Sequence, residues 1–306
     1  MHTTTHTPGA LARTPQPAVF VGHGGGPLPL MGRQPDVAGF LSSYAATLAA
    51  KPKAVVIVTG HWETTEVTVS TREQPDLLFD YSGFPPETYE YDYPAPNDKA
   101  VCDRIIALMS AAQLPIATDD SRGRDHGVFV PMMLMFPAAD VPVVMLSLKS
   151  GQDAKSHLAV GAALGPLRHE GILVVGSGMS FHNFEYFFAT GAHRQQGIEH
   201  SLVFSRWLSD TLTDAALPAE KRLQALERWQ QAPSALECHP RGGAEHLMPL
   251  FVLAGMEEGR PATLIEEAGA GDGGLHFVQF EWRGDGSTRR EESSGSDSGI
   301  GSCVCA

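Results

Sequence analysis

The sequence predicts an α/β protein, a single domain with one mostly parallel or mixed central sheet and helices on both faces. Three observations predict it. Short apolar runs recur (Ala54–Val58, Val141–Leu146, Ile172–Val175), each of the length and composition of a strand buried on both sides. Between them lie stretches whose apolar residues return every three to four positions, the period of a helix. Glycine-rich segments carrying a histidine follow several of the runs, and the ends of strands are where an open α/β sheet places its site residues.

The elements follow in order. Ala18–Val21 is a strand and Val37–Ala50 a helix. Lys53–Val58 is a strand, with another at Glu66–Ser70. Tyr81–Pro96, rich in Tyr, Pro and Gly, is an ordered loop. Asp98–Ala112 is a helix that aligns Val101, Ile105 and Leu108. Helix Asp153–Arg168 separates the strands Val141–Leu146 and Ile172–Val175. Ile198–Trp229 forms two helices broken near Leu217-Pro218. Helix Glu245–Met256 leads to a last strand, Leu275–Glu281. Residues 17–283 contain neither a boundary nor an internal repeat and are expected to form one catalytic domain. Residues 1–16 are expected to be a disordered lead, and 284–306 a disordered acidic, Ser/Gly-rich tail.

Composition excludes several functions. The 22 Lys and Arg against 35 Asp and Glu give a formal charge of −13, which leaves nothing to neutralise phosphates and argues against nucleic acid as a partner. The apolar runs are too short to span a membrane. The opening MHTTTHTPGALARTPQP has no apolar signal core, so a cytoplasmic location is expected. Cys102 sits on a helix face, Cys238 beside a candidate ligand, and Cys303 and Cys305 in the tail, so no disulfide framework is evident. The ending Cys303-Val304-Cys305-Ala306 has the C-a-a-X form of a farnesyl acceptor, a weak anchor by itself.

Histidine carries the chemistry. Of 13 histidines, His2, His6, His157, His169, His193, His200 and His276 read as surface or hydrogen-bonded residues. Five stand apart. His23 precedes Gly24-Gly25-Gly26-Pro27, where missing side chains let a ligand approach. His61, in TGHWE, directly follows a strand. His126 has the acidic neighbour Asp125, which can fix its tautomer. His182 follows the turn Gly176-Ser177-Gly178 and has the polar freedom to carry a proton. His239 precedes Pro240, which stiffens its loop. Competing motifs fail on spacing. G-x-S-x-G is missing around Ser177 and Ser180, His61-Trp62-Glu63 is followed by no P-C-x-x-C, and Glu245-His246 belongs to no H-E-x-x-H. The residues leave a mononuclear, imidazole-rich metal site with open positions, and softness alone does not choose among zinc, copper, iron and nickel.

VGHGGGP, TGHWE, RDHGVFVPM, GSGMSFHN and HPRGGAEHLMPL, in this order, resemble the class III extradiol ring-cleavage dioxygenases, in the branch similar to 4,5-DOPA dioxygenase. The resemblance covers residues 17–283. It implies cleavage of a catechol, DOPA-like or another small aromatic diol, with dioxygen as co-substrate. It implies one divalent metal, Fe(II) for activity or Zn(II) as bound. By position it assigns His23, His61 and His239 to the metal, His182 to acid/base work and a near or direct metal contact, and His126 to a hydrogen bond with substrate or dioxygen. The insertion Gly242-Gly243-Ala244 departs from the pattern and opens the alternative that Glu245 replaces His239 as ligand. Phe129 and Arg124 also depart from it, and Arg124 or Arg241 offers a partner for a substrate carboxylate. A non-catalytic binding protein on the same fold and a zinc-dependent hydrolase are the competing functions.

Overall fold

The computed structural model describes residues 14–269 and 274–284. The expected disorder of residues 1–13 and of the tail, and the farnesyl site at Cys303, lie outside the described residues. Gln16 is tied down, its N–H to the Arg168 carbonyl and its side-chain amide to the Ala50 carbonyl, so the ordered chain begins before residue 17.

The elements run β1 (Ala18–Gly22), α1 (Pro35–Tyr44), β2 (Ala54–Thr64), β3 (Thr68–Ser70), α2 (Lys99–Ala111), β4 (Ala117–Asp119), α3 (His126–Met135), β5 (Val143–Lys149) and α4 (Ala154–Leu164). They continue with α5 (Pro166–His169), β6 (Ile172–Gly178), α6 (Phe184–Phe187), α7 (Gly191–Thr213), α8 (Ala219–Glu227), α9 (Ala235–Cys238), α10 (Met248–Met256), β7 (Thr263–Gly269) and β8 (His276–Trp282). They build one mixed sheet of 8 strands in the order β4-β3-β5-β2-β6-β1-β8-β7. β5, β2, β6 and β1 are mutually parallel and form its centre. β8 closes against β1 antiparallel, so among the described residues the last strand lies beside the first.

The period-two alternation of a strand sorts the central side chains. Val55 and Ile57 of β2 face a core that α1 and α3 cover. Ala54, Val56 and Val58 face the opposite core, built by α2, α4, α7 and α10. Every residue of α10 is buried, which explains its lack of a polar face. Helices thus lie on both faces of the sheet, as the sequence predicts.

Several elements differ from expectation. β2 continues past Val58 to Thr64, with a register irregularity against β5 between Val58 and Glu63. Helix α1 ends at Tyr44, where a 3-10 turn over Ala45–Thr47 takes over. The helix expected from Glu245 begins at Met248, because Glu245–Leu247 bend to deliver a side chain to the site. Strands β4 and β7 and helix α3 were not legible. α3 is buried nearly throughout, so it carries no amphipathic stripe. Cys102 and Cys238 are free and buried. Among the described residues, no helix is long and apolar enough to cross a membrane.

Candidate metal centre and its cavity

The site lies beyond the carboxyl ends of β1, β2 and β6, the crevice position of an open α/β sheet. His23 is the first residue after β1. His61 stands within β2, in the irregular stretch that frees it from regular pairing with β5. His246 comes from the bend before α10. Its backbone comes close to two strands because both have glycine there. A Cβ on Gly178 would stand 2.0 Å from the His246 carbonyl oxygen, and one on Gly60 3.3 Å from its Cα. Met179 N–H donates to that same carbonyl at 2.9 Å.

The three imidazoles meet at their Nε2 atoms, with 3.1 Å between His61 and His23 and 3.2 Å between His61 and His246. Their Nδ1 atoms face outward to oxygen partners. His23 Nδ1 lies 2.9 Å from Ser177 Oγ, His246 Nδ1 2.9 Å from Glu245 Oε1, and His61 Nδ1 3.4 Å from Asp80 Oδ2. The Ser177 contact fixes a tautomer. Pro131 in α3 has no N–H for the carbonyl four residues earlier, that of Gly127. Ser177 Oγ–H donates to this freed carbonyl at 2.5 Å. The serine oxygen therefore accepts from His23 Nδ1–H, and His23 Nε2 presents a lone pair.

Burial, reinforced by the neighbouring imidazoles, holds His23 well below its ordinary pKa of 6.5. Burial first and then His126 and His246 push His61 down to about 2. Burial takes His246 to about 4 against the raising effect of Glu245. The rings are neutral, and their lone pairs converge on one point. Without a cation that arrangement is repulsive. Tetrahedral nitrogen ligands at about 2.0–2.1 Å from a metal stand about 3.3 Å apart, close to the separations seen. The donor set therefore fits one divalent ion.

Two further histidines flank this group. The His126 ring centroid is 4.0 Å from that of His61. Its Nδ1 and its backbone N–H both donate to Asp80 Oδ1, at 2.8 and 3.0 Å, so Asp80 caps the first turn of α3 and orients the ring together. These bonds outweigh burial and bring Asp80 down to about 2. The His182 ring stacks on His246 at 3.5 Å and 20°. Its Nδ1 is 3.2 Å from Glu245 Oε1. Glu245 thus bridges His182 and His246, and these bonds overcome its desolvation to hold it below the usual carboxylate range.

His239 requires correction. It sits at the end of α9, away from the Nε2 cluster, with its ring against Phe204 and Trp229. Its Nε2–H donates to the Ser180 carbonyl at 2.9 Å, and burial lowers its pKa to about 3. Together with the bonds from His182 N–H to Cys238 O and from Asn183 to Glu237 O, it braces the loop that presents His182. His246 occupies the position expected of His239. The signal was an imidazole next to a carboxylate just before an apolar helix. Glu245, the alternative ligand, contacts His182 and His246, and these three side chains also lie close enough together to hold an ion. Arg124 is fully buried and donates to the Tyr93 and Ala95 carbonyls at 3.2 and 2.6 Å, so it is unavailable to a substrate carboxylate.

The centre opens into a cavity of about 400 Å³, lined by the Gly24–Gly26 loop, the five flanking and central histidines, and an aromatic mouth.

Comparison with known proteins finds relatives over most of the chain. A family model described as the catalytic LigB subunit of aromatic ring-opening dioxygenase matches residues 13–271. A dioxygenase, tasH, of Hapsidospora irregularis is 40% identical over 254 residues, covering 78% of this chain and 77% of the relative. A 4,5-DOPA dioxygenase extradiol of Beta vulgaris is 33% identical, covering 84% of this chain and 92% of its own. The crystal structure of an uncharacterized Escherichia coli K12 protein, JW3007, aligns with a TM-score of 0.64 at 26% identity, over 87% of this chain and 99% of that one.

Proposed function

Because the chain belongs to the family of the catalytic LigB subunit of aromatic ring-opening dioxygenases, we propose that it is a metal-dependent extradiol dioxygenase acting on a catechol. The observation that carries this reading is the meeting of three neutral Nε2 atoms, His23, His61 and His246, with each Nδ1 facing an oxygen outside. A divalent ion held by these three imidazoles would supply positive charge to a catechol's oxygens and, if redox-active as Fe(II) is, the means to use dioxygen.

The protein's own groups divide the remaining work. His126 gives its Nδ1–H to Asp80, which leaves Nε2 to accept a proton from a substrate hydroxyl. His182 commits Nδ1 to Glu245, so its Nε2 moves the proton on the opposite side of the cavity. The Gly24–Gly26 loop lines the cavity beside His23, its glycines packed closely against Pro29, Gln34 and Phe84. Substrate and dioxygen balance the reaction. The carbon–carbon bond beside the diol breaks, each new end takes one oxygen atom, and no external reductant is consumed.

The test is metal-free protein reconstituted anaerobically with Fe(II) or zinc, given catechol, and then exposed to oxygen. Oxygen uptake with a yellow ring-opened product, with Fe(II) alone, is expected. Oxygen-independent hydrolytic activity with zinc would overturn the proposal.

A further inference from the structure

The cavity wall shows a chemical bias. Phe184, Phe187, Phe188 and Phe277 lie on one side of the mouth, and Tyr81 and Phe84 on the other. Phe184 and Phe188 are 61% and 81% exposed and stack on each other at 6.1 Å, although they belong to or adjoin the short helix α6 that follows His182. At the rim of a cavity, such adjacent solvated phenyl rings offer an apolar surface that an entering ligand can cover. The Tyr81 hydroxyl donates to the Thr88 carbonyl at 2.6 Å, turned to its own loop.

Among the described residues, no lysine or arginine lines the cavity, and its only formal charge besides the histidines is Asp36. Two arginines nearby are engaged elsewhere, and Arg241, a candidate partner for a substrate carboxylate, is exposed and does not line the cavity. Arg122 binds Asp125 and the His61 carbonyl and lies over the Trp62 ring. Arg194 caps the Tyr186 and Phe187 carbonyls. A carboxylate carried on the substrate would meet Asp36 and phenyl rings in a chain of net charge −13.

We infer that the site is built for an uncharged catechol bearing an apolar substituent, an alkyl chain or a second ring, and that it disfavours carboxylated catechols such as L-DOPA. The inference rests on the ring-opening activity proposed for the site. The diol faces the histidines while the substituent lies between Phe184 and Phe188 on one side and Phe84 on the other. A cavity of about 400 Å³ has room for both.

The experiment uses the full chain loaded with zinc, which holds the site without turnover. Binding of catechol, 4-butylcatechol, 3-(3,4-dihydroxyphenyl)propionate, dopamine and L-DOPA is measured by calorimetry, and kcat/KM for the same panel with the Fe(II) form. 4-Butylcatechol is expected to exceed the propionate by about 10- to 100-fold in both readouts. The Phe184→Ala, Phe188→Ala double variant should cut that ratio several-fold. Equal or tighter binding of the propionate or L-DOPA would overturn the inference, and so would a preference for dopamine, which would make Asp36 the selecting group. Turnover of unsubstituted catechol in either case would leave the ring-opening reading standing. Failure of every catechol to bind would remove both.

Discussion

At the scale of single residues, His246 and His239 separate two readings of one motif. The sequence points to His239 because it opens the segment and precedes a proline. The fold uses His246, seven residues on, and buries His239 against Phe204 and Trp229. His246→Ala is therefore expected to lose the bound metal, and His239→Gln to retain it at reduced stability, as metal analysis of the purified proteins will read. Ser177 is a quieter case. It relays the carbonyl freed by Pro131 to His23 Nδ1. Ser177→Ala should weaken metal affinity by about 10- to 100-fold, measurable by competition with a chelator. His23 and His61 were legible because each comes soon after an apolar run, although β2 itself continues past His61. Asp80 was not, because its partners His61 and His126 lie far off in the sequence, and Glu245 was read as an alternative ligand but not as the partner of the distant His182. The same burial predicts acid lability of the metal-free protein. His246, His239 and His61 fall from an ordinary 6.5 to about 4, 3 and 2 in the folded chain. Below 6.5 the unfolded chain binds protons that the folded one refuses. Stability is thus full above pH 6.5 and declines as pH falls from there toward 4 and below. A denaturant midpoint unchanged between pH 7.5 and 4.5 would contradict this.

At the scale of elements, the strands of the central sheet were readable and the tight contacts between helices were not. Apolar runs identify β1, β2, β5 and β6 because both sheet faces are covered. Sequence periodicity says nothing about how near α4 and α10 pass. Gly161 and Gly255 decide that distance. A Cβ on Gly161 would stand 1.9 Å from the Val252 oxygen, and one on Gly255 2.1 Å from the Leu158 oxygen. Neither glycine has positive φ, so the requirement is space rather than backbone conformation. Gly161→Ala is expected to cost about 1–3 kcal/mol through overpacking, seen as a lower melting temperature. α3 was missed for a related reason. A helix buried on nearly every side, with Pro131 inside it, resembles neither a surface helix nor a strand.

At the scale of the molecule, the candidate ligands come from three distant parts of the chain, and none of them makes a site alone. Metal bound there favours only the folded state, by about 4 kcal/mol when free metal exceeds its dissociation constant a thousandfold. A chelator should therefore lower the melting temperature of the loaded wild-type protein and leave that of His246→Ala unchanged. β1 and β2, which carry His23 and His61, are not neighbours in the sheet, since β6 lies between them. On the ribosome, a chain made only as far as Gly171 holds both histidines but not the strand that sets them side by side. Completion of this candidate centre is thus a late event of biosynthesis. A nascent chain would carry two of the candidate ligands through most of its synthesis, and the third joins them only once His246 has emerged and packed against Gly178.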